Sequence, residues 1–169
     1  MIEPRSPART MSYFLRIFGR SAQPITRREI ADFIAAGSFF DDDLRFEPSP
    51  DSPESAEENW TALNVQYDRE KRPIRFERNV GDVLLKEEVQ ELLFVLDKSR
   101  KTQAQQEVLR ALQGAAQVIS IEVNRESASE DCWEMLDAVE AFLAERCDGI
   151  VYAPDDGFFD KKLQPLYKL

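Results

Sequence analysis

Along this chain the spacing of apolar residues switches back and forth between two periods. Tyr13, Leu15 and Ile17 stand at alternate positions, as do Leu63, Val65 and Tyr67, then Ile74 and Phe76, then Ile119, Ile121 and Val123. Period two is the mark of a strand that buries one face. Between these runs the period lengthens. Leu85, Val89, Leu92, Leu93 and Leu96 fall at i, i+4, i+7, i+8 and i+11, and Cys132, Met135, Leu136, Val139, Phe142 and Leu143 form a second such stripe. Shorter stripes run through Ile30, Phe33 and Ile34 and through Ala104, Val108, Ala111 and Leu112. These four segments have helix spacing. A chain that interleaves the two periods is neither all-helical nor all-β.

Capping residues sharpen the boundaries. Thr26 with Glu29 makes a capping box, Ile25 and Ile30 a hydrophobic staple, and Gly37 a left-handed stop. Thr102 with Gln105 opens the helix that Gly114 closes, and Ser127 with Glu130 opens the long one ended by Asp148-Gly149. Leu44 to Phe46 and Ile150 to Tyr152 read as short strands, the latter followed by the turn Asp155-Asp156-Gly157 and by Phe158-Phe159. The order predicts an α+β fold, with a mixed or antiparallel sheet of about five to seven strands and four helices mainly on one face. Two strand–helix–strand units, 12–46 and 117–152, flank a hairpin and a helix pair. Residues 1–10 read as a disordered leader, with Met11 as a second possible start, and 11–169 as one domain. The proline, serine and acid content near 48–60 predicts a mobile loop there.

Of the 169 residues 43% are hydrophobic, enough for a core without disulfide or metal staples. The longest apolar run, Leu92 to Leu96, has five residues, where a membrane span needs about 20. With no secretion signal either, the expectation is a cytoplasmic protein that does not enter a membrane. Cys132 and Cys147 lie fifteen residues apart in one helix. That is about 22 Å along its axis, too far for a disulfide, so both are expected reduced.

The chemistry that composition removes is considerable. Histidine is absent, which excludes imidazole as base, shuttle or ligand. The six glycines are scattered, so no phosphate-cradling loop is present, and no CxxC, HExxH or GxSxG occurs. Acidic clusters at Asp41-Asp42-Asp43, at Glu54, Glu57 and Glu58, and at Asp155, Asp156 and Asp160 lack calcium-loop spacing. No catalytic residue, cofactor or metal is assigned.

Charge remains. The net is −10, and residues 121–169 hold twelve acids against five bases, a net of −7. A nucleic acid or an anionic membrane is an improbable partner for such a surface. On the last helix Glu130, Glu134 and Asp137 recur at i, i+4 and i+7, so three carboxylates share a stripe. The same stripe fits a plain solvated face. Its more specific meaning is a docking surface for a basic protein, as in an inhibitor or immunity protein, with Glu130, Trp133, Glu134, Asp137, Asp155, Asp156 and Phe158 as candidate contacts. A rival class is an enzyme or small-ligand protein with a carboxylate-lined cleft, which a pocket holding buried acids would favour. A third is a module of a larger assembly, signalled by a broad exposed apolar patch.

Overall fold

A computed structural model describes residues 12–41 and 44–169. The expected leader, the Met11 start and Asp42 and Asp43 of the first acidic cluster lie outside the described residues. In chain order the elements are β1 (Ser12–Gly19), α1 (Arg27–Ala36), β2 (Arg45–Glu47), a 3₁₀ turn (Pro53–Ala56), β3 (Ala62–Gln66), β4 (Ile74–Val80), α2 (Val83–Asp97), α3 (Gln103–Gln113), β5 (Gln117–Asn124), α4 (Glu130–Cys147), β6 (Gly149–Ala153), β7 (Gly157–Phe159) and β8 (Pro165–Tyr167).

The strands form one sheet in the order β2-β3-β4-β5-β1-β6-β7-β8, and every pairing is antiparallel. That resolves the choice between mixed and antiparallel, and it corrects the strand count to eight. The strand that escaped the sequence is β8, three residues led by Pro165 with no alternation to mark them. The two strand–helix–strand units differ in kind. β5 and β6 flank β1 from either side, so β5-α4-β6 is a crossover split by a central strand, whereas β1 and β2 sit far apart in the sheet.

The helices divide between the two faces, which corrects the expectation of a mainly one-sided arrangement. On one face Leu63, Phe76, Ile121 and Leu15 lie in register across four strands and pack beneath α1 and α4. On the other, Phe18, Val118 and Ile150 lie in register on three strands and are covered by Leu85, Leu92 and Leu96 of α2 and Val108, Ala111 and Leu112 of α3. The physical reason is the mixed character of the alternate positions. They are continuously apolar only at this end of the strands, while towards the other end they become Arg75 and Glu122 beside an exposed Phe14. One helix pair therefore covers a whole face and the other covers part of one.

Local chemistry sets the ends of the helices. The Thr26 hydroxyl accepts from the Glu29 N–H and the Glu29 carboxylate accepts from the Thr26 N–H, the reciprocal box expected. Gly37 is right-handed, and the left-handed residue is Ser38, at φ 51°. The Phe39 ring stands where a Cβ at 37 would project and would have to swing aside for any larger residue. α4 is capped by Ser129, whose hydroxyl accepts from the Cys132 N–H, rather than by Ser127. The Asn124 side chain accepts from the N–H groups of Glu126 and Ser127 and holds that stretch in a turn before the helix begins.

Segment 48–60 is tied to α1 and β4. Arg28 donates to the carbonyls of Pro50 (2.8 Å) and Ser52 (3.1 Å), Arg27 to those of Glu54 and Ala62 (3.0 Å each), and Arg78 to that of Glu58 (3.1 Å). The Trp60 indole N–H donates to the Ile25 carbonyl at 2.7 Å. A stretch whose composition reads as a loose loop thus has its backbone carbonyls held by arginines.

Candidate functional site

The acids named from the sequence occupy one end of the molecule. Glu130, Glu134 and Asp137 are exposed on α4, and Asp155 and Asp156 are exposed on the β6–β7 turn, where Asp155 takes a left-handed φ of 75°. Asp155 is matched by Arg125 at 3.0 Å. Among the described residues, Glu130, Glu134, Asp137 and Asp156 enter no ion pair. Phe158 does not belong with them. It is 1% exposed and lies in the core beneath α2 and α3, because Gly157 and Phe158 continue the sheet and point Phe158 to its other face. Its neighbour Phe159 faces the acids instead.

Between α4 and the sheet these elements enclose a cleft of about 290 Å³. One wall is the helix stripe Trp133, Asp137 and Glu140, at i, i+4 and i+7, and the opposite wall is Tyr13 and Leu15 of β1 with Ala153, Asp156 and Phe159. Leu163 closes one side with a backbone φ of 59°, unusual for a residue with a side chain, and cupped there because the Asp160 carboxylate accepts from the N–H groups of Lys162 and Gln164. Trp133 meets Tyr13 edge to face with centroids 6.1 Å apart. The Tyr13 hydroxyl donates to the Pro154 carbonyl at 2.7 Å, and the Arg125 guanidinium lies 4.6 Å from its ring centroid.

Glu140 is not among the contacts that the charge stripe singles out. It is 7% exposed, and among the described residues it has neither a hydrogen bond nor an ion pair. Burial, with the charge of Asp137 behind it, pushes its carboxyl up to about 8. Burial also raises Asp137 above the usual carboxylate range. Tyr13 is pushed up to about 12 by burial and then by Asp156. The residue is buried, but its carboxyl oxygens are not among the side-chain atoms sealed from solvent without a hydrogen-bond partner, which among the described residues are Arg16 Nε, Arg27 Nε, Glu88 Oε2 and Ser127 Oγ, so the Glu140 carboxyl opens onto the cleft. A signal was present in the sequence: Glu140 is four residues past Leu136 and three before Leu143, both buried, so it falls on the inward arc of α4.

Two other surfaces were candidates. A larger, shallow depression of about 830 Å³ lies at the β2–β3 edge beside Arg45, Glu47, Gln66 and Arg69, without a buried ionisable group. On α2, Val83 and Leu84 at one end and Phe94 and Val95 at the other are exposed, but Glu87 and Glu91 stand exposed between them. Apolar residues so divided do not make the broad patch that an assembly module would present. Among the described residues no three potential metal ligands cluster, and no helix is long and apolar enough to cross a membrane. Comparison of the chain with protein-family models, with curated proteins and with solved structures gives no match.

Proposed function

We propose that this chain is a cytoplasmic protein-binding protein whose acidic end, Glu130, Glu134 and Asp137 of α4 with Asp156 of the β6–β7 turn, docks a basic surface of another protein. An inhibitor or immunity protein is the specific form of that reading. The observation that carries it is the set of four exposed carboxylates that enter no ion pair among the described residues, grouped around the half-buried Trp133. Like charges held together cost a folded chain a few tenths of a kcal/mol per pair, and a cationic partner removes that cost while the field speeds encounter.

The test uses Glu130→Lys with Glu134→Lys, both outside the cleft, against wild type in capture from source cells and then in association kinetics with the captured protein. The expected result is association slowed tenfold or more, with added salt weakening the wild-type complex more than the variant's. Affinity indifferent to both the substitutions and salt overturns the docking face. A second reading, a small-ligand protein with a carboxylate-lined cleft, is favoured by the buried and unpartnered Glu140.

A further inference from the structure

The cleft is lined in a way that selects one kind of occupant. Its volume, about 290 Å³, sits at the small end of the roughly 300–1,000 Å³ typical of ligand pockets. Its walls are aromatic, from Tyr13, Trp133 and Phe159, and its polar groups are the carboxyls of Asp137, Glu140 and Asp156 with the Tyr13 hydroxyl, which is already donated to Pro154. Such a space rejects anions and offers little to a neutral polar molecule. The most deeply placed carboxyl, Glu140, has both oxygens free of any partner among the described residues.

We infer that this cleft receives the guanidinium of an arginine side chain presented by the docking partner, paired with Glu140 and flanked by Trp133 and Phe159, with Asp137 and Asp156 at its mouth. The inference rests on the docking reading for the origin of the arginine. Guanidinium suits the site better than ammonium for three reasons. Its two parallel N–H donors match the two oxygens of one carboxylate. Its plane lies against aromatic rings. It is also more weakly hydrated than an ammonium and enters a water-poor cleft at lower cost. Tyr13 already has one guanidinium against its ring, that of Arg125, and Arg16 over Tyr152 and Arg146 over Phe142 make the same kind of contact elsewhere in the fold.

Protonation gives the pairing a signature. The groups lining the cleft with Glu140 are Asp137 on α4 itself, Tyr13 from β1 and Asp156 from the β6–β7 turn, with Asp155 and Arg125 acting on Tyr13 beyond them. In the free protein burial holds the Glu140 proton up to about pH 8, so an entering cation must displace it. Apparent affinity then rises by up to about tenfold per pH unit from pH 6 and levels off above 8.

The test needs no partner. Ethylguanidinium, n-butylammonium, N-acetylarginine methylamide and free arginine are titrated into the isotopically labelled protein while the indole N–H resonances of Trp133 and Trp60 are followed. Saturable shifts of Trp133 alone are expected, with ethylguanidinium at least fivefold tighter than butylammonium. Glu140→Gln, close in shape, is expected to weaken ethylguanidinium at least tenfold while its spectrum stays native. N-acetylarginine methylamide should bind more tightly than free arginine, whose own carboxylate meets Asp137 and Asp156. No saturable shift, undiminished binding to Glu140→Gln, or affinity flat between pH 6 and 8 overturns the inference. Tighter binding of butylammonium reassigns the cleft to an ammonium, and tighter binding of free arginine to a small molecule, and either result overturns the arginine of a partner. If only the probes fail, the docking face still stands on its own kinetics. If only Glu130→Lys with Glu134→Lys leaves partner binding unchanged, the docking reading fails while the cleft result is unaffected.

Discussion

At the scale of single residues, Glu140 couples stability to pH. Its ordinary value is 4.5 and burial holds it near 8, so between these limits the folded chain carries a proton that the unfolded chain has released. Stability is therefore greatest below the unfolded value and falls as pH rises through the window, by at most about 1.4 kcal/mol per unit. Urea unfolding at pH 5, 6, 7 and 8 should show this decline in wild type and a flatter profile in Glu140→Gln. Parallel profiles would mean that the carboxyl is ionised in the native state. The thiols make a second residue-scale test. Cys132 and Cys147 are free and buried at opposite ends of α4, and burial pushes them up to about 11 and about 12. Ellman's reagent should find no thiol in the native protein and two after denaturation. Cys147 also explains Gly19, where a Cβ would stand 2.5 Å from its sulfur, while Gly149 is set by the neighbouring strand, because a Cβ there would run into the Phe18 carbonyl oxygen.

At the scale of elements, the apolar periods carried most of the fold and failed in identifiable places. The Thr26–Glu29 box and the Thr102 cap lie where side chain and backbone meet locally, so a single sequence shows them. The second core depends on which residues of β1, β5 and β6 stand side by side. Phe18, Val118 and Ile150 are 100 and 32 positions apart along the chain, and no local period joins them. The cleft was half legible for a similar reason: Asp137, Glu140 and Trp133 share one helix, whereas Asp156 comes from the β6–β7 turn and Tyr13, which faces them, from the first strand. In segment 48–60 long-range contacts and composition point in opposite directions. Its serines and prolines predict easy proteolysis, yet Arg27 and Arg28 hold four backbone carbonyls in and beside it. Arg28→Ala removes two of these bonds and should cost about 1–2 kcal/mol. Limited proteolysis is expected to nick 49–56 early in the variant and late in wild type. A wild-type chain cut there first would restore the mobile loop.

At the scale of the molecule, one sheet serves two cores, and this makes a claim about cooperativity. β1, β5 and β6 place alternate residues in each core, so neither helix pair can lose its packing without exposing strands that the other pair also needs. The α2–α3 side is the smaller, covering only the end of the sheet around Phe18, Val118 and Ile150, and it is where independent melting would show first. Two probes separate the cases. Both tryptophans, Trp60 and Trp133, belong to the α1–α4 side, so fluorescence reports that core alone, while far-ultraviolet circular dichroism reports all four helices. If the sheet couples the cores, the two signals coincide through urea unfolding. Leu92→Ala, a truncation in the α2–α3 core, then lowers both midpoints together by the roughly 2–5 kcal/mol typical of a buried leucine. If the helix pair melts by itself, the dichroism of Leu92→Ala shifts to lower urea and leaves the tryptophan transition in place. That outcome would divide a domain that the sequence reads as one into a stable α1–α4 layer bearing the acidic cleft and a separable cover on the sheet's other face.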